Sequence, residues 1–137
     1  MEARAWIEPE QQCRIELIAS GQGAQWNQFV ARHPYSSIYH RYEWAELIES
    51  LFGHRPFYWG AFGPAGELLG VLPLIRLKSR LFGDYQVSMP YFNYGGALAD
   101  TPALERDLME RAVAEAARLG LSHVEFRDTR QRVWPGP

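Results

Sequence analysis

Polar and apolar side chains alternate through Arg14-Ile15-Glu16-Leu17-Ile18, the two-residue period of a half-buried strand. Ser20-Gly21-Gln22-Gly23 breaks that pattern. Over residues 24–32 the spacing becomes that of a short amphipathic helix, with Trp26, Phe29 and Val30 three and four apart, and Pro34 ends it. A second helix is expected over residues 41–52, with Trp44, Leu47, Ile48 and Leu51 on one buried stripe and Gly53 where a left-handed cap belongs. Ser36 or Ser37 is placed to cap its start.

Two β-prone runs follow, Phe57-Tyr58-Trp59-Gly60-Ala61-Phe62 and Leu68-Leu69-Gly70-Val71-Leu72-Pro73-Leu74-Ile75. Their connection, Gly63-Pro64-Ala65-Gly66, predicts an antiparallel hairpin. Pro73 has no amide to give to a ladder, so an edge or a bulge is expected there. Arg76, Lys78 and Arg80 then alternate with Leu77, Ser79 and Leu81, which puts three cations on one strand face and reads as its wet end. Asp84-Tyr85-Gln86-Val87-Ser88 resumes a strand pattern. The longest helix opens at Asp100-Thr101-Pro102, with Thr101 as N-cap and Pro102 at the first helical position. Leu104, Leu108, Ala112, Ala116 and Leu119 form its stripe, flanked by Met109 and Val113, and Gly120 stops it. His123-Val124-Glu125-Phe126-Arg127 reads as a last strand.

The predicted order is β-α-α-β-β-β-α-β. The hairpin is antiparallel and the strand-helix-strand end implies a parallel crossover, so the class is α/β with a mixed sheet. One domain is expected over residues 13–128, after a loose leader at 1–12 and before a polar tail at 129–137, a possible truncation point. A length of 137 residues suits a single core.

Composition narrows the function classes. A net charge of -2 and the lack of a basic run argue against a nucleic-acid footprint. A single cysteine, Cys13, gives neither a disulfide framework nor a cysteine metal cluster. Without a signal core or an apolar run of membrane-spanning length, the expected compartment is the cytoplasm. Aromatic residues reach 14% and concentrate over residues 35–94. The densest stretch is Ser88-Met89-Pro90-Tyr91-Phe92-Asn93-Tyr94-Gly95-Gly96, where rings offer apolar walls, hydroxyls and the Asn93 amide offer directional bonds, and two glycines allow close approach. Such a loop can line a pocket or cap a core.

Pro34-Tyr35-Ser36-Ser37-Ile38-Tyr39-His40 with Trp44, Gly70-Val71-Leu72-Pro73-Leu74, the Tyr94-Gly95-Gly96 loop and Glu125-Phe126-Arg127 together resemble the FemAB-related proteins of the GNAT-like N-acyltransferase superfamily. The resemblance is strongest to the branch associated with exosortase and PEP-CTERM sorting. The chain looks like the N-terminal GNAT-like half of such a protein, and so a partial GNAT-like fold. The resemblance implies acyl or aminoacyl transfer to an amine, from acyl-CoA or aminoacyl-tRNA, with a cell-envelope precursor or a small amine as acceptor and no certain cofactor. It also implies that the loop between the first two helices and the loop before the third border the active cleft.

In that cleft His40 would be the base, and Tyr94 or Tyr91 would protonate the leaving group or polarise the carbonyl. Tyr35, Ser36, Ser37, Tyr91 and Asn93 would hold substrate, and the Gly95-Gly96 backbone would donate to an anion. Arg80-Leu81-Phe82-Gly83-Asp84-Tyr85 begins like the acyl-CoA pyrophosphate loop of GNAT enzymes but carries Tyr85 where Gly or Ala closes it. The alternative is a non-catalytic binding or assembly module on a truncated GNAT-like half, whose unpaired sheet edge would favour a homodimer.

Overall fold

The computed structural model of the chain describes residues 13–79, 83–88 and 96–126. Strand β1 (Arg14–Leu17) leads through a 3-10 turn (Ser20–Gln22) into α1 (Gly23–Arg32), and a second 3-10 turn (Ile38–His40) precedes α2 (Glu43–Phe52). Strands β2 (Arg55–Phe62), β3 (Leu68–Ser79) and β4 (Gly83–Val87) follow, then a short β5 (Leu98–Ala99), α3 (Pro102–Arg118) and β6 (Val124–Glu125). The sheet runs β1-β2-β3-β4-β6, with β5 also on β3; β4 and β6 are parallel and the other pairs antiparallel. It is the mixed α/β sheet that the sequence predicts, with β5 added.

Both sheet faces are covered, which is why β2 and β3 are almost continuously apolar. Tyr58, Phe62, Val71 and Ile75 pack with Trp26, Phe29 and Val30 of α1 and Ala45 and Ile48 of α2. Phe57, Trp59, Ala61, Leu72 and Leu74 pack with Leu104, Leu108, Met109 and Ala112 of α3. Strand alternation therefore sorts neighbouring residues into two cores. Each fully buried large side chain contributes about 1.5–3 kcal/mol.

The ends of α3 follow the sequence: Thr101 Oγ1 accepts from Leu104 N–H at 3.2 Å, Pro102 opens the helix, and Gly120 ends it at φ 78°. Gly53 likewise closes α2 at φ 70°, a left-handed conformation that a side chain would strain. Val113 of α3 is exposed.

Helix α2 corrects the predicted stripe. Its buried positions are Ala45 and Ile48, whereas Leu47 is 44% and Leu51 64% exposed. Tyr42 lies edge-on to Tyr58 at 5.6 Å, so the inward line is Tyr42, Ala45 and Ile48, three apart. Small Ala45 lets the helix approach the sheet. Half-buried Trp44 turns its indole N–H to Ile38 O at 2.9 Å. Ser37 caps the turn Ile38–His40 rather than α2, whose N-cap, Tyr42, makes no side-chain cap bond.

Pro73 sits between two pairings of β3. On one edge of β3, Ile75 pairs with Val87 and Val71 with Leu98. Asp100 N–H donates to Leu69 O at 3.0 Å, which sets the odd positions of β3 toward that edge. Position 73 falls in that series, between the β4 pairing at Ile75 and the β5 pairing at Val71. A residue without an amide leaves no donor orphaned there.

The pairing of β5 needs Gly70. A Cβ at Gly70 would lie 2.9 Å from Leu108 Cδ1 and 3.0 Å from Ala99 Cβ. No helix among the described residues is long and apolar enough to cross a membrane.

Candidate functional site

The connection between α1 and α2 packs against the chain that leads into α3, and two imidazoles make the joint. His33 closes α1, and its Nδ1 accepts from Tyr35 N–H at 3.1 Å. A main-chain N–H can only donate, so Nδ1 is unprotonated and Nε2–H donates to Ala99 O at 2.8 Å. His40 repeats the device: Nδ1 accepts from Ser37 N–H at 3.1 Å, and Nε2–H donates to Gly96 O at 2.9 Å. Its ring is 2% exposed. Ser37 Oγ lies 3.1 Å from the same Nδ1 and accepts from Tyr39 N–H at 3.2 Å. Trp26 Nε1–H donates to His40 O at 2.6 Å, which ties the joint to the α1 core.

Beside this joint lies a cleft of about 380 Å³, lined by Arg32, His33, Pro34, Tyr35, Ala99, Asp100, Thr101, Pro102 and Glu105. Arg32 Nη1 donates to Asp100 Oδ1 at 3.3 Å and Nη2 to Leu68 O at 3.2 Å, while its guanidinium stands 4.7 Å from the Phe29 ring centroid. Glu105, on the first turn of α3, is 6% exposed. Among the described residues that line the cleft, the charged side chains are Arg32, Asp100 and Glu105, and Arg32 is bonded to Asp100. Exposed Tyr35 adds an aromatic face to the cleft, of the kind that attracts ammonium groups.

Of the residues singled out in the sequence, the structure brings Tyr35, Ser36, Ser37, His40 and Gly96 to this joint. Tyr35 lines the cleft, Ser36 N–H donates to His33 O at 3.2 Å, and Ser37, His40 and Gly96 form the bonded chain behind it. Tyr91, Asn93, Tyr94 and Gly95 lie outside the described residues. Arg32, His33, Asp100 and Glu105 were not legible as cleft residues. His33 precedes a proline at a helix end, and Asp100 and Glu105 read as ordinary residues of a helix start. Among the described residues no cluster of three or more His, Cys, Asp or Glu is arranged to hold a metal.

Neither a protein-family model nor a curated protein matches the sequence. The structure is similar to the crystal structure of a GNAT family acetyltransferase from Staphylococcus aureus, with a TM-score of 0.57. The fold is GNAT-like. The match covers 91% of this chain and 96% of that chain at 9% sequence identity, so the likeness is one of architecture. Within this GNAT-like fold the cleft lies where the α1–α2 connection meets the start of α3.

Proposed function

We propose that the chain is an acyltransferase domain that delivers an acyl or aminoacyl group to a primary amine, of the kind carried by a cell-envelope precursor. The observation that carries this reading is the cleft of Asp100, Glu105 and Tyr35 at the start of α3 on a GNAT-like fold. In this reading the ammonium of the acceptor sits against the two carboxylates. Glu105 takes its proton, the amine nitrogen attacks the donor carbonyl, a C–N bond forms, and the bond from the carbonyl carbon to the leaving oxygen or sulfur breaks. In this reading the leaving atom takes a proton from the Tyr94 hydroxyl, and Tyr94 regains one from the attacking nitrogen, which sheds its second proton as the amide forms. His40 does not line the cleft and its Nδ1 is occupied by Ser37 N–H, so it positions the joint through Gly96; for it to act as the base, Ser37 would have to release it. The donor is acyl-CoA or aminoacyl-tRNA, and the FemAB-like role rests on the sequence resemblance.

The test is ligand-dependent stabilisation, since a ligand that binds only the folded chain must raise its melting midpoint. Acetyl-CoA, a charged tRNA and a UDP-linked peptidoglycan precursor are titrated in turn. A rise with precursor that Glu105→Gln abolishes supports an amine site in this cleft. A folded chain that responds to none of the three would favour the second reading, a binding or assembly module. The observation behind that reading is the run of exposed apolar residues Leu47, Leu51 and Phe52 on α2.

A further inference from the structure

A second cleft, of about 450 Å³, opens where α2 turns into β2, and Phe52, Gly53, His54, Arg55, Arg76 and Lys78 line it. Its volume is within the range of small-molecule sites. Arg55 and Arg76 are direct partners across the β2–β3 ladder, and Lys78 follows two residues on. Leu72 and Leu74 face α3, so alternation sets Arg76 and Lys78, with Arg55 opposite, on that same sheet face. Like charges directly opposite each other in a sheet are destabilising.

Internal compensation is partial. Asp84 takes Arg76 through two bonds, Nε–Oδ1 at 2.9 Å and Nη2–Oδ2 at 2.6 Å, and pairs with Lys78 in the β3–β4 register. Arg55 stands over the Phe57 ring, 5.0 Å from its centroid. Among the described residues Asp84 thus serves two of the three cations, and none of the residues that line the cleft is acidic. Beside the cations, Phe52 stacks on His54 with centroids 6.0 Å apart and planes 15° apart, and it is 56% exposed. Gly53, in its left-handed conformation, makes the turn that sets this pair at the mouth.

We infer that this cleft binds a nucleoside polyphosphate, with its phosphates on Arg55, Arg76 and Lys78 and its base against Phe52. Guanidinium forks match phosphoryl oxygens, an ammonium adds a point charge, and an exposed ring beside them is a stacking platform for a base. The competing account is structural: the cations line the same cleft as Phe52 and Gly53 at the end of α2, whose last turn carries no basic residue, and offset its dipole.

Calorimetric titration and melting with ADP and with inorganic pyrophosphate separate the two. The expected result is binding of both, ADP at least severalfold tighter, with a raised midpoint. Phe52→Ala should bring ADP affinity down to that of pyrophosphate. Arg55→Ala with Lys78→Ala should weaken both ligands tenfold or more and leave the ligand-free midpoint within a degree or two; Arg76 is left intact because Asp84 holds it. Binding of neither ligand by the folded chain would overturn the inference. So would a double variant that melts early yet keeps its affinity for ADP, which is the outcome of the dipole account.

Discussion

His40 and Gly96, 56 positions apart in the chain, are joined by a 2.9 Å hydrogen bond from Nε2–H to the carbonyl oxygen. His33 makes the equivalent bond to Ala99 O, so two neutral imidazoles hold both ends of the segment 96–99 against the α1–α2 connection. His40 is also the residue that sequence reading marks for proton transfer. His40→Leu strands a buried carbonyl at Gly96 and the Ser37 amide, and it should lower stability by about 1–3 kcal/mol. His40→Asn, which can serve one of those partners, should lose less. Chemical denaturation of both variants checks the order, and a double-mutant cycle with His33→Leu should show coupling, because both bonds fasten the same segment.

Gln86 of β4 is 1% exposed, and among the described residues neither polar atom of its carboxamide has a hydrogen-bond partner. A buried, unpaired polar group costs about 1–3 kcal/mol, so Gln86→Met, similar in length and apolar, should stabilise the chain by about 1 kcal/mol. A higher denaturation midpoint with unchanged slope is the expected reading. A loss of stability would mean that the amide is satisfied in solution.

The orientation of α2 gives a sharp pair of variants. Ile48→Ala should cost about 2–5 kcal/mol, as for a buried aliphatic truncation. Leu51→Ala should change stability by no more than about 0.5 kcal/mol, as for a surface position. Equal losses at the two sites would restore the stripe that the sequence predicts.

The connection of α1 to α2 also contains an acid-sensitive contact. Glu43 accepts from Arg41 Nε at 3.2 Å and Nη2 at 2.9 Å and from Asn27 Nδ2 at 2.9 Å. Its carboxyl is held down at about 2, chiefly by the Arg41 bonds, against an ordinary value of 4.5. A depressed carboxyl stabilises the fold above its unfolded value, and that contribution is lost as pH falls from 4.5 toward 2. Both groups are well exposed, so the contribution stays below about 1 kcal/mol. Glu43→Gln should therefore match the parent near pH 2 and be slightly less stable at neutral pH, as read by denaturant midpoints across that range.

The sequence made some elements legible because their signals are local. Thr101, Pro102 and Gly120 mark α3 by capping chemistry that needs no partner, and Gly63 to Gly66 mark the hairpin in the same way. Strand β5 carries no such signal: Leu98–Ala99 is two residues long and exists because Gly70 leaves room for it. The face of α2 was misread at Leu47 and Leu51, which fit a helical stripe with Trp44 and Ile48 as well as the true inward line does. Only the approach of Ala45 to the sheet decides between them. The cleft was half legible: Tyr35 came from the aromatic connection, while Asp100 and Glu105 become cleft residues through tertiary packing.

The central claim is transfer to an amine held beside α3. The most direct measurement is mass spectrometry of a panel of primary amines after incubation with the chain and either acetyl-CoA or a charged tRNA. The account predicts an acylated amine from one of the donors, with the rate cut at least tenfold in Glu105→Gln while that variant keeps its melting midpoint. An unmodified panel with both donors, or product formed equally fast by Glu105→Gln, would contradict it.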